Sequence, residues 1–159
     1  MCFRFNGKGD KVTEMAGDTH LIIENGIQTN FPHQVLRDYG CHFFVAMKWL
    51  ELHHKLDFPN DKLVLIFEEA ARHGWVDPNG ADILNGVGLL NYVLGRVVYS
   101  TYRRSLTERP SAEFCIRYLV KPKYTHFVID RDGKVFFDPL DPYRPAAWSY
   151  TIDSYRVFM

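Results

Sequence analysis

Gln34-Val35-Leu36-Arg37-Asp38-Tyr39-Gly40-Cys41-His42-Phe43-Phe44 reads as a turn running directly into an apolar helix, with a cysteine in its first turn. Gly40 supplies the backbone freedom that a sharp entry needs. From Cys41 the positions Cys41, Phe44, Val45, Trp49 and Leu52 keep to one helical face, which predicts an inward-packing helix over 41–55. A thiol at a helix start meets the positive end of the helix dipole and the N–H groups of the first turn. Both favour the nucleophilic thiolate. Taken alone, Cys41 fits a small buried hydrophobe better than a catalyst, because free cysteine is among the most buried residue types. The rest of the chain shifts that balance.

Upstream of this stretch, residues 1–18 carry Gly7, Gly9 and Gly17 and read as loop with a short strand at 2–5. Residues 20–24 read as a strand closed by a turn at Asn25-Gly26. The residue before Pro32 avoids the helical region, so the chain stays extended or turning there. Downstream, Asp57-Phe58-Pro59-Asn60 breaks the first helix. Asn60 or Asp61 can cap a second helix over 62–73, stopped by Gly74. A third is predicted over 81–94, ending at Gly95, although Gly86 and Gly88 each cost about 1 kcal/mol relative to alanine. Residues 97–102, 114–121, 125–130, 134–138 and 154–158 are rich in Val, Ile, Phe and Tyr and read as strands. Residues 103–112 read as a surface loop. Helices first and strands after predict an α+β fold, with N-terminal helices packed on a C-terminal antiparallel sheet.

The 159 residues fit one domain, its helical part at about 41–95 and its sheet part at about 96–159. Apolar residues at 47% and charged residues at 24% argue for a globular chain and against disorder. Nineteen basic residues balance nineteen acidic ones, so no nucleic-acid or membrane surface is expected. Three cysteines, Cys2, Cys41 and Cys115, without a CxxC pair disfavour a disulfide framework and a cysteine zinc site. No apolar run approaches the ~20 residues of a membrane span, and no signal-peptide core opens the chain. A cytoplasmic location is expected; release by lysis, as with some phage enzymes, would leave no trace in sequence.

The second informative stretch is 125–138. A three-residue loop, Arg131-Asp132-Gly133, would pair Asp130 with Lys134, Ile129 with Val135, Phe127 with Phe137 and His126 with Asp138. That register gathers Phe127, Ile129, Val135 and Phe137 on one apolar face, whereas a two-residue loop of Asp132-Gly133 would spoil it. His126 and Asp138 then stand opposite, with Cβ atoms about 4.5–5.5 Å apart. A carboxylate there accepts the imidazole N–H and fixes the tautomer, leaving the other ring nitrogen for a thiol proton. A solvated cross-strand pair is the plain alternative, and worth little.

In order and spacing, Gln34, Cys41 opening a helix, His126 on a strand and Asp138-Pro139 ending the next resemble a papain-fold cysteine peptidase. They are most similar to the bacteriocin-leader-processing (double-glycine) peptidases and their stand-alone relatives. The resemblance spans about residues 28–142. It implies Cys41 as nucleophile, His126 as general base and acid, and Asp138 as orienting carboxylate. Gln34 would be an oxyanion-hole donor beside the Cys41 backbone N–H. Such preorganised donors each contribute about 3–4 kcal/mol to the tetrahedral intermediate. In this chain His42-Phe43 follows the cysteine in place of a Gly-Pro or Gly-small step. Gln34 precedes it by seven residues, and the hairpin is short enough for Asp141, in a second Asp-Pro pair, to rival Asp138. No transporter segment accompanies these motifs, so a secretion-coupled role is not expected.

His33, His42, His53 and His54 read as surface or helix-end residues, since no carboxylate lies at the spacing that would complete a metal site. Cys115 reads as core. Trp49, Trp75 and Trp148 read as core or cleft wall. No phosphate loop or nucleotide fingerprint is present, so neither metal nor organic cofactor is implied. The leading expectation is a cysteine hydrolase of amide or isopeptide bonds acting on a peptide, protein or peptidoglycan substrate. The rival is a papain-fold protein without turnover that binds a peptide or partner in the same cleft. A purely structural protein is a third reading.

Overall fold

The computed structural model describes residues 23–140 and 150–159. Among these residues four helices, α1 Gln34–Tyr39, α2 Cys41–His54, α3 Asn60–Arg72 and α4 Gly86–Leu94, precede five strands. The strands are β1 Tyr102–Ser105, β2 Phe114–Lys121, β3 Tyr124–Arg131, β4 Lys134–Phe137 and β5 Thr151–Phe158. They form one antiparallel sheet in the order β1-β5-β2-β3-β4. The fold is α+β, with helices preceding strands as the patterning predicts.

α2 is the centre of the molecule. Every residue from His42 to Glu51 is buried, so the helix has no solvent stripe and the one-sided face predicted for it is too narrow. A helix apolar on all sides belongs in the interior, and α2 lies against α1, α4 and β3. Its two charged residues are satisfied locally. Lys48 Nζ lies 2.5 Å from Glu51 Oε1 and donates to Ile23 O at 2.9 Å, while Ile23 N donates to Glu51 Oε2 at 2.7 Å. A buried ion pair tolerates desolvation only when such extra hydrogen bonds complete it. Here they also anchor the chain that leads into the site.

Gly40 plays a different part from the one expected. Its φ of −83° is open to any residue. A Cβ there would stand 2.4 Å from Leu36 O and 3.0 Å from Leu36 Cα. Glycine is required by close approach, which lets α2 start one residue after α1 ends.

Several boundaries differ from the sequence expectation. α4 begins at Gly86, because Asn85 caps it by accepting from Gly88 N at 2.9 Å and the preceding segment bonds back to Trp75 O. Residues 97–101 form no strand. The Asn91 side chain binds their backbone instead, accepting from Val98 N and Tyr99 N at 2.9 Å each and donating to Tyr99 O at 2.8 Å. β1 therefore starts at Tyr102 and takes the first residues of the expected 103–112 loop. α3 starts after Pro59, with no side-chain cap from Asn60 or Asp61. β5 begins three residues before the predicted 154. Ile23 and Glu24 belong to no strand, while the expected elements at 2–5 and 20–22, Cys2, Asp141 and Trp148 lie outside the described residues.

The β3–β4 hairpin corrects the predicted register. Arg131 pairs with Lys134, so Asp132-Gly133 is the loop, with φ of 50° and 88°. Asp130 pairs with Val135, and a bulge at Phe136 then brings Phe137 opposite Ile129. Val135 and Phe136 are each 37% exposed, while Phe127, Ile129 and Phe137 stay in the core. Asp130 pins the turn from within. Its carboxylate, fully buried, accepts from Arg109 Nε at 2.8 Å and Arg117 Nε at 2.9 Å, and Arg117 Nη2 donates to Gly133 O at 2.6 Å.

Candidate active site

Cys41 is the first residue of α2, partly exposed, and its thiol is free. The backbone N–H groups of a first turn have no partner within the helix and point past its end. His126 lies near the start of β3 and is 1% exposed. Its Nε2 is 2.7 Å from Oδ1 of Asp138, itself 3% exposed. Asp138 Oδ1 also accepts from Leu140 N at 2.9 Å. That carboxylate fixes the tautomer: Nε2 carries the proton it donates, and Nδ1 is left as the second nitrogen.

Nδ1 is buried and makes no hydrogen bond of ordinary geometry among the described residues. The Cys41 thiol is near enough to act on the ring as a whole, and this shows in its charge balance. Burial works against the imidazolium, but hydrogen bonding to Asp138 and to Cys41, with the charges of both, outweighs it and raises His126 from 6.5 to about 9. The structure thus brings Cys41, His126 and Asp138 together. Because of the two-residue turn and the bulge, Asp138 is not the register partner of His126 and reaches it from a position nearer the turn.

Gln34 opens α1 with its side chain exposed, and no hydrogen bond joins it to Cys41 or His126 among the described residues. Asp141 lies outside the described residues.

The segment 24–31 was not foreseen as part of the site. Asn25 Oδ1 accepts from Asp138 N at 2.8 Å, Gly26 N donates to Asp138 O at 2.9 Å, and Gln28 N donates to Pro139 O at 2.8 Å. Thr29 Oγ1 donates to Leu140 O. The buried Gln28 sends its Nε2 to Arg37 O at 3.1 Å, beneath the α1–α2 junction. One strap therefore holds the chain carrying the carboxylate and touches the turn that presents the thiol. Only Asn25-Gly26, a turn signal, was visible in sequence; nothing there marked Gln28.

His42 is the exception among the histidines read as surface or helix-end residues. It is buried, stacks on Phe127 at 3.7 Å between ring centroids, and shares a 2.8 Å hydrogen bond with the Tyr102 hydroxyl. Burial, with the nearby Arg156 cation, pushes it down to about 3, so it stays neutral. It locks α2 onto the sheet beside the nucleophile. His33 caps α1, and His53 and His54 lie at the end of α2. Cys115 is buried in β2, and burial followed by the Asp130 charge pushes its thiol up to about 11.

Among the described residues, no group of three or more His, Cys, Asp or Glu side chains is arranged to hold a metal ion. No helix among them is long and apolar enough to cross a membrane. A groove of about 590 Å³ is lined by Trp49, Leu52, Phe114, Phe158 and Met159 among others, and by none of the three site residues. A free thiol at a helix start, an imidazole beside it and a buried carboxylate behind that imidazole are the parts of nucleophilic acyl transfer. Comparison of the chain with protein-family models, with curated proteins and with solved structures finds no match.

Proposed function

We propose that this chain is a cysteine hydrolase of amide or isopeptide bonds, built as a compact papain-like domain. The observation that supports it is the position of His126, whose Nε2 is held by the buried Asp138 while the Cys41 thiol is among the groups that raise the ring. Structural His–Asp pairs are common, but one backed by a helix-start thiol has a chemical use.

In the reaction, the Cys41 sulfur forms a bond to the carbonyl carbon and the carbonyl electrons move to oxygen. First-turn N–H groups of α2, that of Cys41 among them, would receive this oxyanion. The His126 imidazolium gives its Nδ1 proton to the leaving amine as the C–N bond breaks. Water then attacks the thioester, passing a proton to His126, and the C–S bond breaks to free the acid and restore the thiol. An amine entering in place of water would turn hydrolysis into acyl transfer. Asp138 keeps Nε2–H fixed throughout and stabilises the imidazolium.

A second reading, a papain-like binding protein without turnover, draws on one observation: Gln34 is exposed and makes no hydrogen bond to Cys41 or His126 among the described residues.

The test is alkylation followed by turnover. Iodoacetamide should modify Cys41 at pH 6, and His126→Ala should slow that reaction at least about tenfold, the lower end of what a positioned base contributes. Equal rates in the two proteins would refute the activated pair. With activation established, release of new amino groups from a peptide or muropeptide library, absent in Cys41→Ala, separates the hydrolase from the binding protein.

A further inference from the structure

The turn joining β2 and β3 reads Lys121-Pro122-Lys123-Tyr124, with Lys121 paired to Tyr124 and Leu119 to His126. Paired residues share a face, and residues two apart along a strand return to it. Lys121, Tyr124 and His126 therefore project from the same side of this ribbon. Tyr150 covers that side. Its ring lies 6.0 Å from the His126 ring, and the Lys121 ammonium lies 4.7 Å from the Tyr150 centroid and 5.6 Å from that of Tyr124. A single aromatic ring separates the ammonium from the imidazole.

Lys121 makes no ion pair and no hydrogen bond among the described residues, where its charge is met by two phenol faces. Those phenols leave it uncancelled. Burial, followed by the charges of Cys41, Asp138 and Tyr124, pushes Tyr150 further above its ordinary range, so its ring remains neutral. The nearest site carboxylate, Asp138, is buried and occupied by His126 and Leu140. The rim of the thiol–imidazole pair thus carries an aromatic-flanked cation that no described carboxylate neutralises.

We propose that Lys121, flanked by Tyr124 and Tyr150, is a subsite for a carboxylate borne by the substrate next to the bond that Cys41 attacks. This rests on the acyl-transfer reading above, and it narrows the substrate class to peptides with an acidic side chain or a free terminal carboxylate beside the scissile amide. The aromatic faces bind flanking apolar atoms and the ammonium supplies a point charge.

A pair of alkylating agents tests the subsite without a known substrate. Iodoacetate and iodoacetamide both form the S–C bond at Cys41 and expel iodide, but iodoacetate carries a carboxylate on the carbon attacked. The ratio of their rates, measured on the full chain, cancels effects common to both reagents, such as thiol ionisation. In Lys121→Gln the iodoacetate-to-iodoacetamide ratio should fall about three- to fivefold, as expected when one unit charge at the rim of a partly solvated site is removed. Lys121→Arg should keep the wild-type ratio, and 0.5 M salt should narrow the gap between wild type and Lys121→Gln. An unchanged ratio in Lys121→Gln, with fast His126-dependent labelling retained, overturns the subsite and leaves the hydrolase reading standing. Labelling of Cys41 that ignores His126 overturns both.

Discussion

Asparagine in place of Asp138 keeps the shape of the side chain and an acceptor oxygen for His126, but removes the charge. In the folded protein His126 titrates at about 9 against an ordinary 6.5, which corresponds to about 3 kcal/mol favouring the folded state when the ring is protonated. A raised folded-state pKa acts in one direction. The stabilisation is complete below pH 6.5, where both states hold the proton, declines between 6.5 and 9, and is gone above 9. In Asp138→Asn the strongest group raising the ring is lost, and burial is then opposed by Cys41 alone. The variant should then be less stable than wild type by about 3 kcal/mol at pH 6, narrowing to about 1 kcal/mol at pH 9.5, where only a difference in hydrogen-bond strength remains. Urea unfolding at pH 6, 7.5 and 9.5 measures the gap, and the carbon-bound imidazole proton of His126, followed by NMR, reads the titration directly. A gap of constant size across this range would refute the reasoning, since it would show Asp138 acting by packing alone.

Gly40→Ala should cost at least about 2 kcal/mol, because the new Cβ would stand 2.4 Å from Leu36 O with no flexible side chain to yield; thermal unfolding should fall by at least 4 °C, roughly the shift for that loss in a chain of this size, and Cys41 alkylation should slow with it. Asp130→Ala should cost about 3 kcal/mol, because Arg109 and Arg117 lose their shared buried partner; urea unfolding checks this, and a loss below 1 kcal/mol would show the arginines re-solvating freely. In His42→Phe the stack on Phe127 is kept but the Tyr102 hydroxyl loses its partner, a cost of about 1–2 kcal/mol at pH 8. Because His42 stays neutral when folded, the wild type alone loses about 2 kcal/mol between pH 6.5 and 5 as the unfolded histidine takes up a proton. The variant should therefore match or exceed wild type at pH 5, and a deficit equal at both pH values would contradict the assignment.

What could be read from the sequence follows from what each feature depends on. α2 and β2 were legible because long runs of apolar or β-branched residues determine them locally, and both lie close to where the pattern puts them. That α2 is buried on every side was not legible, because Lys48 and Glu51 look like a solvent face until their partners at Ile23 are seen. The loss of a strand at 97–101 turns on one side chain, Asn91, binding backbone seven and eight residues away. Propensity does not register such competition. The strap over Asp138 is a contact between positions 113 residues apart, with only a turn dipeptide to announce it.

The hairpin shows which part of a pattern argument carries weight. The three-residue loop gathers Phe127, Ile129, Val135 and Phe137 on one side, yet the chain uses Asp132-Gly133, the dipeptide that favours a two-residue turn with positive φ, and Val135 leaves that face. That turn slips the pairing by one residue, which alone would reverse the faces of β4. The bulge at Phe136 adds a second residue, and two slips restore the parity. Phe137 thus returns to the core opposite Ile129, and Asp138, next in line, returns to the face that bears His126. Local turn chemistry and most of the apolar core are both obeyed, at the expense of a part-exposed Val135 and Phe136. The meeting of His126 with Asp138 survives the wrong register because it depends only on which face each residue occupies, and a side-chain hydrogen bond of 2.7 Å spans the remaining offset.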